Sequence, residues 1–191
     1  MAFALFRPFP PPDPPLTDGV VILRLPQETD APAIAAACRD PEIARWIPVP
    51  VPYRLEDARA FVAFAAEAWS SGREPTFVIA DATSRALVGT IAVHRRPDEP
   101  GKAAVGYWLA PEARGRGAAT RAVRLVARWA FAVEPVLVRM ELLTLVGNGA
   151  SGRVALRAGF AREGVLRRYL PFRGDLVDAV MFARLRDDPE A

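Results

Sequence analysis

The chain has little of the residues that most often carry out polar chemistry. Its 191 residues hold one cysteine, Cys38, and one histidine, His94. A single cysteine excludes an intrachain disulfide and any multi-cysteine metal site. A single histidine excludes a two-histidine metal site, and any histidine-dependent triad would rest on His94 alone. Lysine is as scarce: Lys102 stands alone, and arginine supplies the remaining positive charge. Such a bias follows genome composition as readily as function, and the formal net charge is only +3. Charge alone therefore gives no reason to expect nucleic-acid binding. No apolar run approaches the ~18 residues of a membrane span. The opening stretch MAFALFRPFPPPDPPL is interrupted by Arg7 and a proline cluster, where a secretory signal needs an unbroken apolar segment. Residues 1–16 read as a proline-rich extended arm, with nothing in their composition to order them. The expected location is cytoplasmic.

What is present suffices for one folded domain over residues 17–191, since 51% of the chain is hydrophobic. VVILRL (Val20 to Leu25) is a β-branched run, hence a strand. A helix follows in TDAPAIAAACRD, with Asp30 as N-cap and proline in its first turn. Phe61, Phe64, Ala65, Ala68 and Trp69 repeat at helical spacing, and Gly72 ends that helix. Two strands turn around Asp81 to Arg85, and AAVGYWLA is a third. The stretch Pro111 to Phe131 opens with a glycine and alanine turn that leads into a long helix, and then come the strand VLVRMELLTLV, a short helix ending at Gly159, and two strands turning near Phe172 to Asp175. The order predicts an α+β fold: a mostly antiparallel central sheet with one parallel β-α-β crossover between Ala103 and Val146.

The start of the long helix, PEARGRGAAT, carries the strongest functional signal. The first turn of a helix has four backbone N–H groups without intrahelical partners, and the macrodipole adds positive charge there, so anions bind. Gly115 and Gly117 allow a tight turn and close approach of a ligand to the backbone. Arg114 and Arg116 add charge. An ordinary loop-to-helix junction would account for the same composition. A P-loop is excluded by the missing Gly-Lys-Ser/Thr, and a dinucleotide fingerprint fits only loosely, because Ala110 to Arg114 separate the glycines from the strand.

Arg114, Gly117 and Ala119 satisfy Arg/Gln-x-x-Gly-x-Gly/Ala, and NGASGRVALRAGF follows about thirty residues later. In these two blocks, and in VGYWLAPEARGRGAAT, REGVLR with the later Asp178, and LRLPQETDAPAI with Trp46, the chain resembles the GNAT N-acetyltransferase superfamily, in its RimJ/RimL-like branch. The resemblance spans about Leu16 to Leu185. It implies acetyl-CoA as cofactor, with Trp108 and Leu109 offering backbone groups to the pantetheine arm. It places the pyrophosphate on the amides of Gly115, Arg116, Gly117, Ala118, Ala119 and Thr120, with Arg114, Arg116 and Arg121 as phosphate contacts. Leu109 N–H would steady the oxyanion. Asn148 would contact pantetheine, or simply cap a helix, and Ser151 would donate a hydrogen bond to the departing sulfur. Arg121, Arg124 and Arg128 form a stripe at helical spacing that equally suits a solvated face.

The base is harder to place. Ala104 and Leu170 stand where many relatives carry glutamate, and neither can accept a proton. Glu141 is the candidate base, with Asp178, Glu74 and His94 behind it, acting directly or through water. Without a strong base an α-amine is the easier acceptor: its pKa of about 8 leaves a larger neutral fraction at pH 7 than a lysine at about 10.4. The expectation is an acetyl-CoA-dependent N-acetyltransferase working by direct attack in a ternary complex, on a protein N-terminus or a small amine. Specificity would lie in Arg45 to Tyr53 and Arg167 to Asp175, whose arginines suit an acidic acceptor. A non-catalytic acyl-CoA sensor on the same fold and a nucleic-acid-binding module are the rival readings. No metal site and no membrane partner are expected, and a homodimer is left open.

Overall fold

The computed structural model describes residues 8–96 and 98–189. In chain order the elements are β1 (Leu16–Thr17), β2 (Val21–Arg24), α1 (Ala31–Ala37), α2 (Pro41–Trp46), α3 (Leu55–Ser70), β3 (Thr76–Asp81), β4 (Leu87–Arg95), β5 (Lys102–Leu109), α4 (Ala118–Val133), β6 (Arg139–Leu145), α5 (Gly149–Arg157), β7 (Ala161–Phe172) and β8 (Asp175–Leu185). The strands form one mixed sheet in the order β1-β2-β3-β4-β5-β6-β8-β7. Every pairing is antiparallel except β5 with β6, which α4 connects. The expected α+β architecture with its single parallel crossover is what the chain adopts.

Each face of the sheet is covered by helices. The small residues of α4, among them Ala122, Val123, Val126 and Ala130, are completely buried against Ile91, Val93, Val105 and Met140. Fully burying a valine or leucine contributes about 1.5–3 kcal/mol, so this layer carries much of the stability. On the opposite face Ile34, Ile43, Ala58 and Val62 of α1 to α3, with Tyr53 from the segment before α3, pack with Trp108 and Ala110.

Four details differ from the sequence expectation. From residue 8 the arm is packed: Phe9 is 2% exposed, stacks at 5.0 Å on Trp129 and accepts a hydrogen bond from Trp69 Nε1 at 3.1 Å. Residues 1–7 of the arm lie outside the described residues. A further helix, α2, starts at Pro41, where the Asp40 side chain accepts from the N–H of Glu42. Asp30 occupies the N-cap position of α1 but does not cap it. Its carboxylate binds the Arg24 guanidinium and the N–H of Gln27, which tethers the helix entry to β2. The buried stripe of α3 is Ala58, Val62, Ala65, Ala68 and Trp69, whereas Phe64 is 42% exposed. The apolar face of α3 is wider than the core needs, and its surplus aromatics face a cavity.

Candidate functional site

The crossover leaves a gap in the sheet. β5 and β6 pair only at Lys102↔Arg139, Ala103↔Met140 and Ala104↔Glu141, although β5 continues to Leu109 and β6 to Leu145. Beyond Ala104 each strand presents an edge to the gap. Alternation along β5 fixes which groups point there. Ala110 N–H bonds the Val88 carbonyl of the β4 side, and the Trp108 carbonyl lies against Gly89, where a Cβ would collide with it. The backbone of Trp108 is therefore turned toward β4, and the N–H groups of Tyr107 and Leu109 face β6. Of the two residues expected to serve the pantetheine arm, Leu109 is on the right edge and Trp108 is not. Tyr107 shares that edge with Leu109, as the two-residue period of the strand requires.

At the upper end of the gap stands the N-terminus of α4. Gly117 is its N-cap, in the left-handed region at φ +82°, with no side-chain capping bond. Gly115 is also left-handed, at φ +75°. Space does not demand glycine at these two positions, since nothing lies within 4 Å of an added Cβ; the backbone conformation does. The turn aims the amides of the first helical residues outward, uncapped and at the positive end of the dipole. Residues 115–120 thus present uncapped amides at the positive end of α4. Arg121, Arg124 and Arg128 line an adjoining surface recess of about 370 Å³ with Arg157. Arg121 is also paired with Asp18 at 2.7 Å. Arg114 turns the other way, donating to the Leu109 carbonyl at 3.2 Å and pairing with Asp40. This ties the glycine turn to the start of α2, a connection between positions 74 residues apart that no local motif encodes.

Across the gap, Asn148 caps α5 by accepting from Ser151 N–H at 3.1 Å. The capping role is therefore realised, and it leaves the Asn148 amide donors for a ligand. Ser151 Oγ accepts a hydrogen bond from Tyr107 Oη at 3.1 Å, which leaves its own proton to be donated elsewhere. Burial pushes the Tyr107 hydroxyl above its ordinary pKa, against the opposing effect of the Ser151 bond. Tyr107 is thus neutral and can serve as a donor at physiological pH.

Helix nose, gap and α5 open into one cavity of about 1040 Å³, which continues to the other face of the sheet. There Trp46, Val49, Phe61 and Phe64 form an apolar wall, and Glu42, Glu74, His94 and Leu170 also line the space. The β7–β8 hairpin closes this side: Arg173 donates to the Ala44 carbonyl of α2 at 2.7 Å. Both stretches expected to set specificity therefore contribute to the wall, but aromatic and aliphatic side chains dominate it. Arg45 lies over the Trp46 ring and pairs with Glu42 instead.

The expected base is elsewhere. Glu141 is 4% exposed and held between Arg139, at 2.8 Å, and Arg96, at 2.7 Å. Two guanidinium partners occupy that carboxylate as part of an ion-pair network at the lower end of the gap. Asp178 is also engaged, accepting from Arg168 N–H at 2.8 Å. Glu74 and His94, distant in sequence, are brought together in the cavity, with His94 Nδ1 2.8 Å from Glu74 Oε2. Burial alone would raise the Glu74 carboxyl, but the hydrogen bond and charge of His94 outweigh it and hold the carboxyl below its ordinary value. Among the described residues no cluster of three metal-ligating side chains is present, and no helix is long and apolar enough to cross a membrane.

The residues present fit an acyl-CoA. The gap offers unpaired strand edges to an extended arm, the glycine turn offers uncapped amides to a pyrophosphate, and the arginine recess offers charge to a further phosphate. Comparison with known proteins agrees. The acetyltransferase (GNAT) domain profile matches residues 21–161. The chain is 28% identical over 170 residues, 89% of its length and 96% of the relative's, to the uncharacterized N-acetyltransferase YoaA of Bacillus subtilis. It is 35% identical over 102 residues, 53% of its length and 56% of the relative's, to the ribosomal-protein-serine acetyltransferase of Escherichia coli. The structure of Mycobacterium smegmatis RimJ in complex with CoA-disulfide superposes with a TM-score of 0.77 at 26% identity, covering 90% of this chain and 85% of that one. This chain is an N-acetyltransferase and belongs to the GNAT acetyltransferase family.

Proposed function

We propose that the protein transfers the acetyl group of acetyl-CoA to a primary amine, with a peptide or protein N-terminal α-amine as the favoured acceptor and a small amine as the alternative, by direct attack in a ternary complex. One observation carries this reading: the gap between β5 and β6 joins the anion-binding nose of α4 to an open, aromatic-walled cavity on the other face of the sheet. A cofactor held from one side and an amine entering from the other meet beside Tyr107 to Leu109.

Bound acetyl-CoA supplies a thioester carbonyl as electrophile. The chain's own groups do the rest. The amides of residues 115–120 hold phosphate charge at the helix nose. Leu109 N–H, and Tyr107 N–H beside it, face the gap as donors for developing negative charge, preorganised by the strand and costing no reorganisation. Ser151, fixed by its bond from Tyr107, directs its hydroxyl proton toward the departing sulfur. Cys38 is 3% exposed, and burial pushes its thiol up to about 12, against the Tyr53 hydrogen bond. It is therefore inert at neutral pH, which supports direct attack over an acetyl-enzyme.

The names of the relatives support a protein acceptor, and the apolar wall suits an acceptor whose amine is carried on an uncharged, apolar body. The test is thiol release from acetyl-CoA with a panel of peptides bearing free or blocked α-amines, lysine side chains and small amines. Turnover confined to free amines, with α-amines ahead of lysine, is the expected result. Binding of acetyl-CoA with no turnover on any amine would favour an acyl-CoA sensor instead.

A further inference from the structure

The cavity holds several titratable groups, and most are unsuited to taking a proton at neutral pH. Burial raises the Cys38 thiol and the Tyr53 and Tyr107 hydroxyls. Glu42 accepts from Trp46 Nε1 at 3.2 Å and pairs with Arg45. His94 is different, because histidine is the side chain that ordinarily changes charge near neutrality. Its Nδ1 faces Glu74, whose other oxygen takes a hydrogen bond from Thr76 at 3.4 Å. Its partner across the β4–β5 pair is Ala104, so no bulky or charged side chain stands beside the ring on that strand. Two residues further along β5, a Cβ on Gly106 would lie 2.9 Å from His94 Nε2. The ring therefore occupies the space that a side chain at position 106 would fill. The next residue is Tyr107, whose N–H faces the gap and whose hydroxyl holds Ser151.

We propose that His94 accepts the proton of the attacking amine, and that Glu74 is a positioning residue that fixes the imidazole with Nε2 toward the cavity. The proposal rests on the acetyl-transfer reading above. With Nδ1–H donated to Glu74, the Nε2 lone pair is available. The amine nitrogen forms its bond to the acetyl carbon as the carbon–sulfur bond breaks. The proton lost by nitrogen passes to Nε2, and the sulfur leaves as a thiolate stabilised by the Ser151 hydroxyl. The charged surroundings of the ring are Glu74 and Arg73 before β3, with Glu42, Tyr53 and Arg114 on the remaining walls. Arg96, two residues on, is turned to Glu99 and Glu141.

Because His94 is the only histidine of the chain, the nitrogen-15 imidazole spectrum of the tag-free protein reads it without assignment. The experiment compares wild type, His94→Gln and Glu74→Gln by that titration, by pH–rate profile on a peptide α-amine, and by the melting shift with acetyl-CoA. His94→Gln is expected to lower turnover at pH 7 on the order of 10²-fold, within the usual range for a lost general base, to remove the lower limb of the profile, and to keep the melting shift. Removing the Glu74 charge makes the imidazolium less stable, so Glu74→Gln moves the imidazole midpoint and the lower limb to lower pH together. The limb of the amine itself, near 8, stays in place. A His94→Gln variant with the wild-type rate and profile overturns the proposal, as does an imidazole midpoint that moves in Glu74→Gln while the limb does not. A wild-type protein that acetylates no amine at any pH overturns the acetyl-transfer reading, and this proposal with it.

Discussion

The two ends of the cavity are built in opposite ways. The cofactor end is local in sequence: six consecutive residues, Gly115 to Thr120, supply the turn, the uncapped amides and the helix start. The end proposed for the acceptor is assembled from residues far apart, with Trp46 from α2, Phe61 and Phe64 from α3, Glu74 from a loop, His94 from β4 and Leu170 from β7. A local motif tolerates change elsewhere in the chain, because backbone conformation and helix dipole produce it. An assembled wall can be altered one side chain at a time without disturbing the cofactor, which suits one scaffold to many acceptors.

Substitutions at each end should separate cofactor affinity from turnover. The largest effect is expected for Gly117→Glu. A side chain at φ +82° costs about 1–2 kcal/mol, and a carboxylate at the dipole's positive end competes with phosphate for roughly 0.3–1 kcal/mol more. A turn that relaxes to relieve the strain must be re-formed when the cofactor binds, so together these weaken acetyl-CoA binding by roughly 10- to 100-fold in calorimetry. Ser151→Ala is expected to lower kcat roughly 10- to 100-fold, at or below the usual cost of a lost transition-state donor, while acetyl-CoA affinity stays within a few-fold. Gly106→Ala sharpens the contrast further. The added methyl pushes the His94 ring off its rotamer at about 0.5–1.5 kcal/mol, so turnover falls by up to about 10-fold with cofactor binding unchanged.

Asp40 is the exception that joins the two ends, since it both caps α2 and pairs with Arg114. Asp40→Ala should cost about 1 kcal/mol of stability from the lost cap and raise the acceptor KM a few-fold, a coupling that no other wall residue should show. Asp30 lies outside both ends and is expected to matter for stability alone. Burial raises its carboxyl, but the Arg24 bond and the Gln27 N–H outweigh this and hold it below its ordinary value. Its stabilisation is therefore full above the unfolded value and is lost as pH falls through the folded one. The melting deficit of Asp30→Asn should be present at pH 7, begin to shrink below about pH 4, and vanish only below the lowered value of the folded state.

The same division explains what the sequence made legible. The helix nose, the parallel crossover and the ends of α3 and α5 before Gly72 and Gly159 follow from short-range rules, and all could be read directly. Glu141 could not be judged from its strand, because its two arginine partners come from β6 itself and from the loop after β4. The pairing of Glu74 with His94 depends on how the loop before β3 meets the end of β4. Arg114 had the right composition for a phosphate contact, and its partner Asp40 was hidden 74 residues away. Phe9 looked like part of an unanchored arm, since nothing local reveals the Trp69 and Trp129 rings that bury it.

In the proposed complex an acyl-CoA enters the β5–β6 gap as an added strand, with its phosphates on the nose of α4. Residue-resolved amide hydrogen exchange with and without acetyl-CoA tests this most directly. New protection is expected at Tyr107, at Leu109 and across residues 115–120, with little change at Trp108, whose backbone is already turned to β4. Binding that protects Trp108 instead, or that leaves residues 115–120 exchanging as in the free protein, would contradict it.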